Sequence, residues 1–200
     1  MNTIVRDQFH KDFEQALAFA TRLHAKQTRK GTDIPYISHL IGVASLVVEQ
    51  GGNRDEAIAA LLHDSIEDQA EYYPGGVEKL REAISGHFGP GVLEIVEGCS
   101  DSTGSPKPPW KERKERYIAH LAEATASIRL VSCADKLHNT RAIVSDVRIL
   151  GDAVFKRFTG GKDGTMWYYR SLADSFLKLG PDRLAEELNR TVQEMERLAA

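Results

Sequence analysis

Four ionisable residues, His63, Asp64, Glu67 and Asp68, fall within six positions, directly after the apolar run Ala57–Leu62. On a continuous helix, His63 and Glu67 share one face, and Asp64 and Asp68 share the row beside it. Three carboxylates this close repel one another, and the apolar lead-in predicts that the helix carrying them is largely buried. Burial without a counter-charge is costly, so a positive centre should sit against them. A divalent metal meets that need, because His63 offers a nitrogen donor and Asp64 an oxygen donor side by side. The plain alternative is a solvated acidic turn, and it weakens as further donors come into view.

Two more donors lie elsewhere. His39 falls in the first turn of an apolar helical pattern, and Asp135 lies deep in the run Ile128–Asn139. His39, His63, Asp64 and Asp135 together make a mixed nitrogen and oxygen set. Such a set suits Mn²⁺, Fe²⁺, Co²⁺ or Zn²⁺ better than Ca²⁺ or Mg²⁺, and its lack of thiolates argues against a structural zinc. Open coordination positions would hold water made acidic enough to supply hydroxide near neutral pH. Glu67 and Asp68 would then orient or deprotonate that water, or protonate a leaving group.

A site this acidic can accept a phosphorylated substrate only if cations offset the repulsion. Arg29, Lys30, Lys111, Arg113, Lys114, Lys136 and Arg141 flank the donor-bearing segments, although each alone reads equally well as a solvated surface charge. Trp167, Tyr168 and Tyr169 could stack on a base, whereas aromatics at such spacing more often belong to a core. Asn139 shares a helical face with Asp135, four residues before it. His24, His87, His120 and His138 have no partner pattern and read as structural or exposed. Cys133, in an apolar run, reads as buried packing.

The elements that must position these groups are helical. Periodicity starts near Asp12 and runs to a stop at Gly31, with Phe13, Leu17, Ala20 and Leu23 on one face. Pro35 forces Ile34 out of helical geometry, and Ser38 is the expected N-cap of the next helix, which ends at Gly51-Gly52. Asn53 caps a helix predicted to run from Asp55 to about Asp68. Shorter patterns follow over Val77–His87 and Gly91–Glu97. The stretch Asp101–Pro109 is the clearest loop, feeding a locally basic helix start at Trp110. Phe155–Gly164 reads as a flexible glycine-rich loop, and helices are predicted over Met166–Leu179 and Asp182–Leu198. No strand pattern is convincing. The fold class is all-α: one compact helical bundle over residues 1–200.

Composition fits that picture. Two hundred residues, 42% of them hydrophobic, suffice for one domain with a sizeable core. The net charge of −3 argues against a general nucleic-acid binder, and no apolar run reaches membrane-spanning length. Two cysteines, Cys99 and Cys133, form no disulfide framework. A soluble, cytoplasmic protein with reduced thiols is expected, with oligomerisation through a helical face open.

The ordered set His39, His63-Asp64 and Asp135 resembles the H…HD…D signature of the HD-domain phosphohydrolases. The run His24–Gly31 with Pro35-Tyr36 and His39, the stretch Leu62–Asp68, and Ala134–Arg141 resemble the alarmone hydrolase domain of RelA/SpoT-type proteins. The resemblance spans roughly Phe13 to Arg141, a motif-bearing core of about 13–141 followed by C-terminal helices over 145–200. It implies an all-α hydrolase that holds one Mn²⁺ and removes the 3′-pyrophosphate from (p)ppGpp. His39, His63, Asp64 and Asp135 would be the metal ligands, and Glu67 and Asp68 would handle the attacking water. Arg29 and Lys30 would line the nucleotide pocket, with Asn139 at the ribose. Lys136, Arg113 and Tyr168 complete the expected substrate contacts. With 200 residues the chain leaves no room for the synthetase domain of long members, and so resembles the small stand-alone, Mesh1-like type.

Two positions depart from the family pattern: Leu40 stands where proline usually follows the first metal histidine, and Gln69 where threonine often follows the Glu-Asp pair. Neither removes a ligand or an acid-base group. Two other readings stay open. The same site could act on NADPH at its 2′-phosphate or on another nucleotide, or the protein could be a catalytically silent nucleotide-binding regulator.

Overall fold

The computed structural model describes residues 3–101, 108–180 and 182–200, with side chains from residue 8 onward. Among the described residues the secondary structure is helical apart from an isolated bridge between Thr28 and Pro35, as an all-α fold requires. The chain forms two compact units, Met1–Thr103 and Gly104–Ala200. Most of the expected loop at 101–109 lies outside the described residues.

The first unit contains α1 (Thr3–Leu23), α2 (Ile37–Glu49), α3 (Arg54–Leu62), α4 (Ser65–Gln69), α5 (Gly76–Phe88) and α6 (Pro90–Cys99). Its centre is α3, which packs on α1, α2 and α6. Every residue from Ala57 to Leu62 is fully buried, so α3 is apolar all round, the pattern of a core helix. Its start is fixed as expected. The Asn53 side chain accepts from the Asp55 and Glu56 N–H groups, and the Glu56 side chain accepts from the Asn53 N–H, a complete capping box. On α2, His39, Leu40, Val43, Ala44 and Val47 face the core.

Three local expectations change. Helix α1 ends at Leu23 rather than Gly31, and residues 24–36 form a closed turn instead. Arg29 N–H donates to Ile34 C=O (2.8 Å) and Tyr36 N–H to Gln27 C=O (2.9 Å), with Gly31 supplying the φ of 73° that the reversal needs. Ser38 is not the N-cap of α2. The helix starts one residue earlier, and the Ser38 hydroxyl donates back to Pro35 C=O at 2.8 Å. The helix expected from Asp55 to Asp68 breaks at His63-Asp64, for reasons that belong to the site.

The second unit contains α7 (Trp110–His120), α8 (Ala126–Leu150), a 3₁₀ segment (Gly151–Arg157), α9 (Gly161–Leu179) and α10 (Arg183–Ala199). Here α10 lays Leu184, Leu188, Val192 and Met195 along α8 and α9, an apolar stripe at helical spacing. Arg148 on α8 pairs with Glu194 on α10 at 2.5 Å, and Arg141 pairs with Glu187. The expected flexible loop at 155–164 is largely ordered helix. Its glycines have a packing role: a Cβ at Gly160 would meet the Trp110 ring at 2.7 Å, and one at Gly164 at 3.2 Å.

Candidate metal centre and its carboxylates

In the first unit, α2 and the α3–α4 junction bring His39, His63 and Asp64 together. The His63 ring is fixed by its own helix: Nδ1 donates to Ala60 C=O at 2.9 Å. An unbroken α-helix would give that carbonyl to the Asp64 N–H. The side chain therefore competes with the ladder where the helix ends, and Asp64 takes up φ −94°, ψ 0° before α4 begins.

The same hydrogen bond fixes the chemistry. With Nδ1 as donor, a neutral His63 presents a lone pair at Nε2. Yet Nε2 lies 3.0 Å from Asp64 Oδ2, and His39 Nε2 lies 3.6 Å from the same oxygen. The two imidazoles meet edge to face at 5.2 Å. Lone pairs that converge at this distance repel unless a positive centre lies among them. Two donors at right angles about one ion, each bonded at ~2.1 Å, stand ~3.0 Å apart. The donor set thus fits a divalent transition metal in both chemistry and size. His39 is fully buried and His63 nearly so.

A frame of polar groups holds these donors. The Tyr36 hydroxyl donates to Asp64 Oδ2 at 2.5 Å. Tyr36 stacks on His24 (5.4 Å between rings) and sets its ring at an angle to His39 (5.4 Å). Gln27 links the frame to the acidic pair: its Nε2 donates to Asp68 Oδ2 at 2.7 Å, while its Oε1 accepts from His24 Nδ1 and Gln69 Nε2. Donation to a carboxylate fixes the orientation of the Gln27 amide, so His24 must carry its proton on Nδ1. Burial pushes the His24 pKa below its ordinary value, although the Gln27 bond opposes the shift; His24 is a neutral strut. The Asp101 N–H donates to Glu67 Oε2 at 3.2 Å.

Sequence reasoning missed Gln27 and the role of His24. The three-residue spacing of His24 and Gln27 and the unusual Gln69 were the available signals, and they mean little until the turn at 24–36 closes. Leu40, the other departure, is fully buried core. Arg29 lies over the Tyr36 ring at 5.8 Å, on the same turn as the exposed Lys30.

In the second unit, Asp135 is buried on α8. It accepts from Asn139 Nδ2 at 2.5 Å and from Lys136 Nζ at 2.6 Å. The face shared with Asn139 is thus as expected. Lys136 also lies 4.8 Å from the centre of the Tyr117 ring, whose hydroxyl donates to Ser132. Burial opposes its charge, but Asp135 outweighs it and holds the Lys136 pKa well above the ordinary lysine value. Tyr168 is 5% exposed, with Trp110 edge-on and Lys114 Nζ at 4.9 Å, so its ring belongs to the core rather than to an open stacking surface. Its hydroxyl has no hydrogen-bond partner among the described residues. Arg113 donates to Pro108 C=O at 3.2 Å. Lys111 pairs with Glu115, and Arg141 is engaged by Glu187.

A histidine pair beside an aspartate within an all-α fold is the pattern of the HD-domain family. The HD-domain family profile matches residues 16–166, and the chain belongs to that family. It is 38% identical over 130 residues to guanosine-3′,5′-bis(diphosphate) 3′-pyrophosphohydrolase MESH1 of Xenopus tropicalis, a match covering 64% of this chain and 66% of that one. The human protein of the same name is 35% identical over the same coverage. The match spans just under two thirds of these relatives. A bacterial guanosine-3′,5′-bis(diphosphate) 3′-pyrophosphohydrolase from Aquifex aeolicus is 33% identical over 68% of this chain and 18% of its own length. The solved structure of a metazoan SpoT ortholog that hydrolyses ppGpp superposes with a TM-score of 0.74, over 94% of this chain and 97% of that one, at 23% identity; the fold is shared. No helix among the described residues is long and apolar enough to cross a membrane.

Proposed function

We propose that the protein is a Mn²⁺-dependent hydrolase that removes the 3′-pyrophosphate from (p)ppGpp, both units acting as one hydrolase domain. The observation that carries the reading is the convergence of His39 Nε2 and His63 Nε2 on one Asp64 oxygen, which calls for a cation. The relatives named as 3′-pyrophosphohydrolases support the substrate. His39, His63, Asp64 and Asp135 would hold the ion; all but Asp64 are buried, and Asp64 is half-buried. When bound, the metal makes a water acidic and screens phosphate charge.

The chain's own residues do the rest. Glu67, which accepts from the Asp101 N–H, and Asp68, which accepts from Gln27, orient the water and take or return its proton. Asn139 and Lys136 fix the Asp135 carboxylate, as partners of metal ligands generally do. Arg29, Lys30 and Arg113 supply positive charge to the nucleotide. Tyr168 contributes its hydroxyl rather than a stacking face.

Incubation of purified protein with ppGpp, with Mn²⁺ or with a chelator, tests the reading. Metal-dependent release of GDP and pyrophosphate is expected. Absence of turnover with Mn²⁺ bound would overturn the substrate, and equal turnover under chelation would overturn the metal.

A further inference from the structure

A cavity of about 400 Å³ lies in the first unit beside the end of α4, within the size range of ligand sites. Phe19 of α1, His87 of α5, and Tyr72, Tyr73 and Pro74 of the turn after α4 line it, together with Gln69, the last residue of α4. Four aromatic rings thus border one small space, and the proposed chemistry uses none of them.

Gln69 is the polar group of this lining. It is only 9% exposed, and its Nε2 donates to Gln27, yet its Oε1 accepts from no donor among the described residues. A nearly buried amide oxygen is short of a partner there, and an N–H or O–H entering the cavity would supply it. The rings supply the apolar part. Phe19 and His87 lie 6.0 Å apart on one wall. Tyr72 is 77% exposed, and its N–H donates to Gln69 C=O at 3.1 Å, which ties the turn to the end of α4. Such faces take a flat aromatic molecule by offset or edge-on stacking.

We infer that this cavity is an effector site for a small planar aromatic ligand that carries a ring N–H or O–H donor. Gln69 connects it to the acidic pair: its amide donates to Gln27, and Gln27 donates to Asp68 Oδ2 at 2.7 Å. A donor on Gln69 Oε1 polarises that amide and strengthens its own donation to Gln27. The ligand also favours the amide orientation that already serves Gln27, so its binding energy shifts the frame toward that state. Occupancy holds Asp68 more firmly and raises kcat. The rate effect rests on the hydrolase reading; binding of the ligand does not. Gln69 is one of the two departures from the family pattern, so the connection belongs to this chain rather than to the family's shared site.

The test uses indole and 1-methylindole, the same ring without its N–H, as probes. Each is titrated by ligand-observed NMR into wild type, Tyr72→Ala and Gln69→Leu, with circular dichroism confirming the fold. Wild type should bind indole saturably and 1-methylindole ~5-fold more weakly, the worth of one hydrogen bond. Gln69→Leu should bind the two alike, and Tyr72→Ala should bind indole ~5-fold more weakly through loss of a stacking face. With ppGpp, saturating indole should raise wild-type kcat ~2-fold. Tyr72→Ala should keep its basal kcat and need ~5-fold more indole for half the effect. Equal affinity of wild type for the two probes, or equal indole affinity in wild type and Tyr72→Ala, would overturn the site. Indole binding as expected with kcat unmoved would overturn the effector role. The same binding in a protein that never turns over ppGpp would keep the site and overturn the hydrolase reading.

Discussion

The chain carries two stretches that bear candidate metal ligands and folds them in opposite ways. Around His63 the helix breaks; around Asp135 it runs unbroken for 25 residues. The difference is local charge compensation. Asp135 finds Lys136 and Asn139 on its own helix, so its carboxylate is satisfied without bending the backbone. At the α3–α4 junction Asp64, Glu67 and Asp68 crowd together with no cation in the same stretch. Their donors come from distant segments: Tyr36, Gln27 and the Asp101 N–H. Meanwhile the His63 ring takes a carbonyl of its own helix. One segment supports its ligand from within, and the other depends on a frame around it.

The contrast can be sharpened by breaking each side. Glu67→Ala should keep the metal yet lower kcat by ~10²–10⁴, the usual range for loss of a general acid or base; steady-state kinetics with metal analysis would show it, and loss of metal would mean Glu67 is a ligand instead. Asn139→Ala removes the internal support of Asp135 and should weaken metal affinity ~10–100-fold, as loss of a ligand's hydrogen-bond partner does, measured by competition with a chelator. Gln27→Ala releases Asp68 from its frame and should lower kcat ~10-fold with metal content unchanged, one lost hydrogen bond to a charged group being worth about 1.5 kcal/mol. The smallest effect lies away from the chemistry. Burial, reinforced by the charge of Asp182, pushes the Cys133 thiol well above its ordinary pKa of 9.0. A raised pKa means no thiolate at pH 8, so iodoacetamide should leave Cys133 unmodified by intact mass until the protein is unfolded.

Much of this was legible in the sequence, and for identifiable reasons. The apolar run Ala57–Leu62 announces a buried helix, and Asn53 with Glu56 announces its start, because both signals are local. The bond from Asn139 to Asp135 follows from four-residue spacing on an unbroken helix. The break at His63-Asp64 does not, since it depends on a side chain competing for a backbone carbonyl. The early end of α1 was hidden because His24–Lys30 continue a helix-compatible composition, while long-range bonds across the turn decide otherwise. Tyr168 shows the same limit. Its type suits base stacking, but only packing reveals a ring enclosed by Trp110 and Lys114.

The decisive measurement is the metal content of wild-type protein and of Asp64→Ala, determined by elemental mass spectrometry after purification in Mn²⁺, alongside turnover of ppGpp. About one ion per chain with turnover in the wild type, and neither in Asp64→Ala, is the expected result. Full metal retention in Asp64→Ala would contradict the site, because the three remaining ligands would then hold the ion without the carboxylate on which the imidazoles converge.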